Sequence, residues 1–318
     1  MTLLLAIRGN GANWSPEAWY QRFSSRMPGR TIVMAGSPLV SAGDVHYVAA
    51  WKPEPGSLTR YPNLKAIFNL GAGVDALLAD PALPAVPIVR VVNDNLTKRM
   101  TEYVVLHTLW HHRHMTRLLA AQSRGHWDAP DQPSADRVRV GIMGLGDIAR
   151  DAADVLLRIG FQVAGWSRSA KSIPGVTCYA GPDGLAAFLA RTDILVALLP
   201  STPATRGILN RNLFAGLARD GVIGAPILIN AGRGALQVEA DILAALDDGT
   251  LGGATLDVFE TEPLPASNRL WSHAKVIITP HNAADSDPDA ISEAVVAQIL
   301  AFESGEPLCN VIDPRIGY

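Results

Sequence analysis

Cysteine is scarce in this chain of 318 residues: Cys178 and Cys309 are its two cysteines, far apart and without metal-ligand or disulfide spacing. Such low use of cysteine argues against a disulfide-rich secreted domain and favours a reducing compartment, the cytosol. Long apolar runs are missing too, because the stretch Leu3–Ile7 is too short for a signal peptide or a membrane span. We interpret it as a first β-strand.

Excess charge and biased composition are also missing. The formal net charge of −3 gives no electrostatic reason to expect a nucleic acid or an acidic membrane as a partner. No internal repeat or low-complexity segment is apparent, and the 48% of hydrophobic residues is sufficient for real cores. Length and composition therefore favour two globular domains of ordinary size.

The most informative stretch that is present runs from Arg137 to Gly160. Alternating apolar residues from Val138 to Met143 predict a strand, and a G-x-G-x-x-A turn follows at 144–149. An apolar face at spacings of four, three and four predicts a helix that Gly160 ends. Such a turn lets a pyrophosphate approach the helix N-terminus, although a tight turn in another α/β domain is the alternative. The predicted cofactor contacts here are Gly144, Leu145, Gly146, Asp147 and Ile148.

Residues 1–98 have the pattern of a small α/β domain, with a helix that starts at Ser15-Pro16-Glu17. The predicted strands are Leu3–Ile7, Thr31–Met34, Val45–Trp51, Ala66–Leu70 and Ile88–Val92. A second glycine turn, Gly71–Asp75, precedes a short helix, Asp75–Leu78. It is too short for a dinucleotide fingerprint, so it indicates either a site for a small carboxylate or a structural turn.

The segment from Lys98 to Arg124 has the pattern of one long helix that is apolar on all sides. His107, His111 and His114 would share a face of this helix. No carboxylate or cysteine with ligand spacing joins them, so we expect no metal site. We expect instead a domain-linking helix that also packs against a second subunit, followed by a loop at 127–136.

Residues 137–281 alternate strands and helices as a doubly wound parallel sheet does. After the first strand, further strands are predicted at Gln162–Trp166, Asp193–Leu199, Ile227–Asn230, Ala254–Phe259 and Val276–Thr279. Helices are predicted at Gly184–Arg191, Arg211–Leu217 and Val238–Leu246. A final helix, Ile291–Phe302, is expected to rejoin the N-terminal domain.

Three residues that follow predicted strands have side chains suited to carbonyl chemistry: Arg233, Glu262 and His281. A guanidinium holds a carboxylate through two parallel hydrogen bonds, and a histidine exchanges the proton of a carbonyl/alcohol pair. A glutamate would hold the imidazolium. Each residue alone is more often structural, but their shared position at strand ends indicates one site.

The second strand of this sheet is followed by Ser167-Arg168-Ser169 and then Lys171, with no carboxylate in the segment. In NAD-specific folds an acidic residue at this place accepts the ribose 2′-hydroxyl. Hydroxyls and cations can instead bind a 2′-phosphate, so we expect NADP(H) to be preferred, with NAD(H) possible. A solvated basic turn is the alternative.

Taken together, these motifs resemble the D-isomer-specific 2-hydroxyacid dehydrogenases over essentially the whole chain. The matching segments are the turn 144–149, Leu199-Pro200 with Thr205, Asn230–Gly234, Leu256–Phe259 before Glu262-Pro263-Leu264, and Thr279-Pro280-His281. Within the family the chain is most similar to reductases of glyoxylate and hydroxypyruvate. The segments that suggest this are Arg8-Gly9-Asn10, Trp51-Lys52-Pro53, Gly71–Asp75 and Trp166–Ser169.

The resemblance implies two Rossmann-like or flavodoxin-like domains with parallel sheets and an active site in the interdomain cleft. It implies a substrate-binding domain at 1–98 plus 282–318 and an NAD(P)-binding domain at 99–281. It assigns catalysis to Arg233, Glu262 and His281. Further cofactor contacts are expected from Trp166, Leu199, Pro200, Thr205, Ala231, Gly232 and Asp257. Substrate contacts are expected from Trp51, Ala72, Gly73, Val74, Arg233 and His281.

The activity implied is the NADPH-dependent reduction of glyoxylate or hydroxypyruvate to glycolate or D-glycerate, by a homodimer built through residues 98–135. Another D-2-hydroxyacid dehydrogenase, for lactate, phosphoglycerate or a larger 2-oxo acid, is one alternative. A non-catalytic, dinucleotide-sensing protein is a second. One departure from the family pattern is the polar segment 282–288, which bears on the fit of cofactor and substrate.

Overall fold

The structure, a computed structural model, describes residues 1–9, 13–71, 73–91 and 94–313. It divides into two compact units: unit 1 is Met1–Leu96 with Ser286–Tyr318, and unit 2 is Thr97–Asp285. Each unit is described by itself. The sequence-based domain limits, the assignment of substrate and cofactor to the two domains, and an active site in the cleft stay predictions.

Unit 1 is built on a five-stranded parallel sheet with the strand order β2-β1-β3-β4-β5. Its strands are β1 (Thr2–Ile7), β2 (Ile32–Met34), β3 (Val45–Trp51), β4 (Ala66–Asn69) and β5 (Ile88–Arg90). Every residue of β1 and β4 is buried, as expected when helices cover both faces of a parallel sheet.

The helices of unit 1 are α1 (Pro16–Arg26), α2 (Asp75–Leu78) and α9 (Pro288–Glu303). Ser15 caps α1, since its hydroxyl oxygen accepts the backbone N–H of Ala18 at 3.2 Å. Trp19 and Phe23 on α1 pack in one apolar cluster with Val295 on α9. The final helix therefore returns to the unit formed by the N-terminal residues.

Unit 2 contains a seven-stranded parallel sheet with the order β12-β11-β10-β9-β6-β7-β8. The strands are β6 (Arg139–Met143), β7 (Gln162–Ser167), β8 (Thr177–Ala180), β9 (Ile194–Ala197), β10 (Ile227–Asn230), β11 (Gly253–Leu256) and β12 (Val276–Ile278). The helices are α3 (Asp94–His112), which begins in unit 1, α4 (Met115–Ser123), α5 (Asp147–Ile159), α6 (Gly181–Ala190), α7 (Arg211–Ala215) and α8 (Glu239–Asp247). Apolar clusters cover both faces of the sheet. The predicted α/β class with two parallel sheets is confirmed.

The prediction of one helix from Lys98 to Arg124 is wrong, because the chain forms α3 and α4 with a break at His114. His114 has φ 55°, a left-handed conformation. Tertiary bonds hold the break: Arg113 Nε donates to Gln132 Oε1 at 2.7 Å, and Trp110 Nε1 donates to Thr116 Oγ1 at 3.0 Å. Helical periodicity continues through the break, so sequence spacing gave no sign of it.

Other predicted elements differ mainly at their ends. Strand β8 was not predicted, and the strand expected at Ala254–Phe259 ends at Leu256, where the chain turns toward the functional loops. Val92, the predicted end of β5, lies outside the described residues. Within the described part of the chain, no helix combines the length and apolarity needed to cross a membrane.

Candidate active site

The glycine turn of unit 2 lies at the carboxyl edge of its sheet, where the strand order reverses between β6 and β9. Open α/β sheets bind ligands at this reversal. Gly144 has φ 99°, and a Cβ there would lie 2.9 Å from the carbonyl oxygen of Leu198. A Cβ on Gly146, by contrast, would meet nothing within 4 Å. The backbone at the start of α5 is thus open to a ligand, as a bound pyrophosphate requires.

Some residues of this turn are buried against the sheet, and others are exposed to solvent. Leu145 is buried and packs on β7, where a Cβ on Gly165 would lie 2.3 Å from a Leu145 methyl carbon. Ala149, the third small residue of the fingerprint, is buried in the helix–sheet contact. Asp147 is exposed and Ile148 half-buried. Any cofactor contact by Leu145 is therefore through its backbone.

In the basic turn after β7, the first residues are held by hydrogen bonds and the following ones are exposed. Trp166 is buried, and its indole N–H donates to the carbonyl oxygen of Gly181 at 2.8 Å. The Ser167 hydroxyl donates to the carbonyl oxygen of Ser169 at 2.8 Å. Arg168, Ser169 and Lys171 are exposed. Trp166 and Ser167 thus hold the turn, and the expected contact of the exposed side chains with a 2′-phosphate stays a prediction.

The loop after β9 contains the expected cofactor contacts Leu199, Pro200 and Thr205. Leu199 is buried and Pro200 half-buried. The Thr205 hydroxyl donates to the carbonyl oxygen of Pro200 at 2.7 Å and accepts the N–H of Thr202 at 2.8 Å. Thr205 therefore shapes this loop.

His281 and Glu262 form a direct pair in unit 2. Nδ1 of His281 lies 2.7 Å from Oε2 of Glu262, so the ring N–H donates to the carboxylate. Oε1 of Glu262 accepts the backbone N–H of Phe259 at 3.1 Å, which fixes the other end of the carboxylate. The His281 side chain is 51% exposed, so its Nε2 can reach a substrate. This is the arrangement of a histidine acid–base group oriented by a carboxylate.

A buried network fixes the loop that carries His281. The Thr279 hydroxyl donates to Oδ1 of Asp257 at 2.6 Å, and Tyr103 on α3 lies 2.7 Å from the same hydroxyl. Asp257 also accepts the backbone N–H groups of Asn282 and Ala283 at 3.0 and 3.1 Å. Burial raises the pKa of Tyr103, which keeps its phenol protonated as a donor. Asp257, an expected cofactor contact, thus anchors the start of the polar segment 282–288.

Arg233 follows β10 in a tightly packed turn of unit 2. Ala231 and Gly232 are buried, and Arg233 itself is half-buried, with Nη1 donating to the carbonyl oxygen of Gly232 at 2.7 Å. A Cβ on Gly234 would lie 1.8 Å from the carbonyl oxygen of Phe259. Only glycine permits this approach, which brings the Arg233 turn into contact with the loop that leads to Glu262.

The glycine turn of unit 1 is held from inside the sheet. Asn69, the last residue of β4, is buried, and its side-chain amide donates to the carbonyl oxygens of Gly71 and Gly73 at 2.5 and 3.0 Å. Trp51 lies against this turn, since a Cβ on Gly71 would be 2.3 Å from its ring. Val74 is buried in unit 1. Ala72, an expected substrate contact, lies outside the described residues.

His107 and His111 on α3 contact other side chains of unit 2. The His107 ring packs against Tyr103 at a tilt of 51°, with 4.2 Å between ring centroids, and Nε2 of His111 lies 2.9 Å from the Thr255 hydroxyl. Burial lowers the pKa of both histidines to about 4, so both are neutral near pH 7. His114 lies beyond the end of α3, so the expected shared face of three histidines is wrong. In the part of the chain that the structure describes, no group of three ligating side chains is placed to hold a metal ion.

Two buried amide side chains near these turns, Asn69 and Gln237, were not predicted, and Asn230 was named only as the first residue of the motif Asn230–Gly234. Asn69 and Asn230 each occupy the last position of a buried strand directly before a glycine turn. A polar residue at the end of an apolar strand was the available signal, because a buried amide requires hydrogen-bond partners. Gln237 gave no sequence signal, since its amide accepts from Asn230, which ends the preceding strand, and donates to Val258, 21 residues further along the chain.

This chain is similar to known proteins along most of its length. Residues 105–283 match the family model described as the D-isomer specific 2-hydroxyacid dehydrogenase, NAD binding domain. The chain is 40% identical over 314 residues to glyoxylate/hydroxypyruvate reductase A of Serratia proteamaculans, covering 96% of this chain and 97% of that protein.

Solved structures with cofactor are also similar. An NADPH-dependent glyoxylate/hydroxypyruvate reductase of Sinorhizobium meliloti, in complex with NADP and sulfate, superposes with a TM-score of 0.92 at 46% identity, covering 100% of this chain and 99% of that one. A probable 2-hydroxyacid dehydrogenase of Rhizobium etli, in complex with NADP, HEPES and L(+)-tartaric acid, gives 0.94 at 44% identity with the same coverage. The present chain is therefore an NAD(P)-dependent oxidoreductase that belongs to the family of D-isomer specific 2-hydroxyacid dehydrogenases.

Proposed function

We propose that this enzyme reduces glyoxylate and hydroxypyruvate to glycolate and D-glycerate with NADPH. The observation that carries the proposal is the His281–Glu262 pair, at 2.7 Å, in the unit that also carries Arg233 and an open glycine turn. The reductases of Serratia proteamaculans and Sinorhizobium meliloti support the choice of substrates.

In this proposal His281 donates the proton that converts the substrate carbonyl oxygen into a hydroxyl. Glu262 holds the ring through Nδ1, so Nε2 faces the substrate with the proton. When bound, the reduced nicotinamide supplies the hydride that C2 of the substrate receives. In the reverse direction His281 accepts the hydroxyl proton.

Arg233 is proposed to bind the substrate carboxylate and to polarise the neighbouring carbonyl through its planar guanidinium. We assign Trp51, Ala72, Gly73 and Val74 of unit 1 to further substrate contacts. Asn69 supports this assignment, because it binds the carbonyl oxygens of Gly71 and Gly73 and leaves the N–H groups of the turn to other partners.

The cofactor would be held by the 144–149 turn and by the basic turn after β7. Its pyrophosphate fits the open backbone at Gly146, and its 2′-phosphate fits the exposed Arg168, Ser169 and Lys171. We propose the remaining contacts at Asp147, Ile148, Leu199, Pro200, Thr205, Ala231, Gly232 and Asp257. NADP in the similar solved structures supports a preference for NADPH, with NADH as a weaker donor.

We also propose a cytosolic homodimer with neither nucleic acid nor membrane as a partner. Residues 98–135 expose apolar side chains: Leu106 is 55% exposed and Trp127 94% exposed. Arg117 holds the Trp127 loop through two hydrogen bonds to Asp128, at 2.6 and 2.8 Å. Sedimentation of the wild type and of Trp127→Asp tests this interface, and a monomeric wild type would exclude it.

The deciding experiment is NADPH oxidation measured over a panel of 2-oxo acids. We expect the highest kcat/KM for glyoxylate or hydroxypyruvate, and lower values for pyruvate, phosphohydroxypyruvate and bulkier acids. A preference for one of the latter would assign the enzyme to another 2-hydroxyacid dehydrogenase. NADPH binding without turnover of any acid would favour a dinucleotide-sensing protein.

The preference for NADPH over NADH is tested by a separate measurement. Charge-assisted hydrogen bonds contribute roughly 1.5–3 kcal/mol each. Two such bonds to a 2′-phosphate correspond to roughly 10²- to 10⁴-fold higher kcat/KM with NADPH than with NADH. Arg168→Ala should lower the NADPH value selectively. Equal efficiency of the wild type with both coenzymes would contradict the assignment.

A further inference from the structure

Gln237 is a buried glutamine whose side-chain amide is bonded at both ends. It is 2% exposed. Its Oε1 accepts a hydrogen bond from Nδ2 of Asn230 at 2.8 Å, and its Nε2 donates to the carbonyl oxygen of Val258 at 2.9 Å. Burying an amide is costly unless it is hydrogen-bonded, so this side chain is fixed in one orientation.

The oxygen of the Gln237 amide is connected to Arg233 through Asn230. Asn230 is fully buried, and its Nδ2 also donates to the backbone carbonyl oxygen of Arg233 at 3.2 Å. Its Oδ1 accepts the N–H of Gly232 at 3.1 Å. The two bonds tie the backbone on both sides of the Gly232–Arg233 peptide to the end of β10, so they set the point from which the guanidinium projects.

The nitrogen of the Gln237 amide is connected to Glu262 and His281 through Val258 and Phe259. Val258, whose carbonyl oxygen accepts from Gln237, directly precedes Phe259, whose N–H donates to Oε1 of Glu262. Oε2 of Glu262 in turn holds Nδ1 of His281. A continuous path of hydrogen bonds and single peptide units therefore joins Arg233 to His281, with Gln237 as its central member.

We propose that Gln237 is a positioning residue that sets the guanidinium of Arg233 relative to the imidazole of His281. Reduction of a 2-oxo acid requires this spacing, because one group would hold the carboxylate while the other protonates the adjacent carbonyl oxygen. The expected effect on turnover rests on the proposed function. Asn230 links Gln237 to Arg233, and the peptide between Val258 and Phe259 links Gln237 to Glu262.

The test is a double-mutant cycle of Gln237→Met and Asn230→Ala. Methionine has a similar volume but forms neither amide hydrogen bond, so we expect kcat/KM for glyoxylate to fall about tenfold or more. KM should rise in both variants, and kcat should fall more in Gln237→Met, which also releases Val258. The double variant should be little worse than the more damaging single variant, because the two residues act through one path.

A second readout is the equilibrium affinity for oxalate, an unreactive carboxylate that needs Arg233 but no turnover. We expect weaker oxalate binding in Gln237→Met, with the wild-type value largely kept in Thr192→Val. That control removes another buried hydrogen bond of unit 2, from the Thr192 hydroxyl to the carbonyl oxygen of Phe188, next to the amino end of β9. If Gln237→Met does not fold, Gln237→Asn replaces it, because the shorter amide cannot reach both partners.

A merely structural role predicts a different pattern, since loss of folded protein lowers apparent kcat and leaves KM and oxalate affinity unchanged. KM and oxalate affinity within twofold of wild type in the Gln237 variant would overturn the proposal, as would additive effects in the cycle. A wild type that binds oxalate but reduces no 2-oxo acid would defeat the proposed function alone.

Discussion

The glycine turn after β4 in unit 1 and the Arg233 turn after β10 in unit 2 are held in the same way but carry different side chains. In unit 1 the buried Asn69 ends β4, and in unit 2 the buried Asn230 ends β10. Each asparagine binds the backbone of the turn that follows it. A buried amide at the end of a strand thus fixes the backbone of the turn that follows.

The difference between the turns lies in their chemistry. Gly71–Val74 contains no ionisable side chain, so it offers backbone N–H groups and shape. The turn in unit 2 carries Arg233 and packs against the loop that leads to Glu262 and His281. We infer that the first turn determines which acid fits and the second supplies the charged groups. Changes in unit 2 should then affect turnover as well as affinity, whereas changes in unit 1 should affect mainly affinity and preference.

The largest expected effect is that of His281→Gln. Loss of the general acid should lower kcat by a factor of about 10²–10⁴, because glutamine hydrogen-bonds the substrate without exchanging a proton. NADPH affinity, measured by fluorescence titration, should stay close to that of the wild type. Undiminished kcat would remove His281 from the mechanism.

Arg233→Lys comes next. Lysine keeps the charge but lacks the planar pair of donors, and charged hydrogen bonds of this kind are worth at least about 1.5–3 kcal/mol. We expect kcat/KM for glyoxylate to fall by about tenfold to hundredfold, measured at saturating NADPH. A lysine variant with wild-type efficiency would show that bidentate binding is not used.

Asn69→Ala tests the corresponding anchor in unit 1. It removes two hydrogen bonds to the turn, and we expect KM for glyoxylate to rise about tenfold while kcat changes less. Steady-state kinetics beside Asn63→Ala, which removes an exposed hydrogen bond to Gly43 of the same unit, provide the control. A fall in kcat as large as that of His281→Gln would erase the distinction between the two turns.

Trp51→Ala should change preference more than rate. The Trp51 ring lies against Gly71 and 4.5 Å from the Trp14 ring, so its removal opens space beside the turn. The ratio of kcat/KM for larger 2-oxo acids to that for glyoxylate should rise by about tenfold, the usual scale for steric discrimination. An unchanged ratio would exclude Trp51 as the wall of the substrate pocket.

The smallest effect concerns acid stability. The pKa of His107 is lowered to about 4 by burial, from an ordinary value near 6.5, so the unfolded chain binds the proton more readily between these values. Stability should therefore fall as the pH decreases from about 6.5 to 4. His107→Phe keeps an aromatic ring beside Tyr103 and should reduce this loss.

Hydrogen exchange at pH 7 and pH 5 checks that prediction within each unit. Seven of the eight histidines belong to unit 2, and His46 alone belongs to unit 1. Amides of unit 2 should lose protection first on acidification, and less so in the variant. Equal acid sensitivity of wild type and variant would contradict the assignment to His107.

Much of the fold was predictable because it depends on local patterns. Alternation gave β6, and the small residues at 144–149 gave the turn at the end of β6. The break at His114 was not predictable, since no glycine or proline marks it and the contacts of Arg113 with Gln132 hold it. For the site, Arg233, Glu262 and His281 were predicted from their places after strands, whereas Gln237 was not.

The sequence by itself determined the residue types, the periodicities and the chain order of the motifs, because each depends on neighbours within a few positions. The tertiary structure alone decided which side chains meet. It placed Nδ1 of His281 2.7 Å from Glu262, and it joined Gln237 to both Asn230 and Val258. Hydrogen bonds between distant segments depend on distances that folding sets, and a single sequence carries no local record of them.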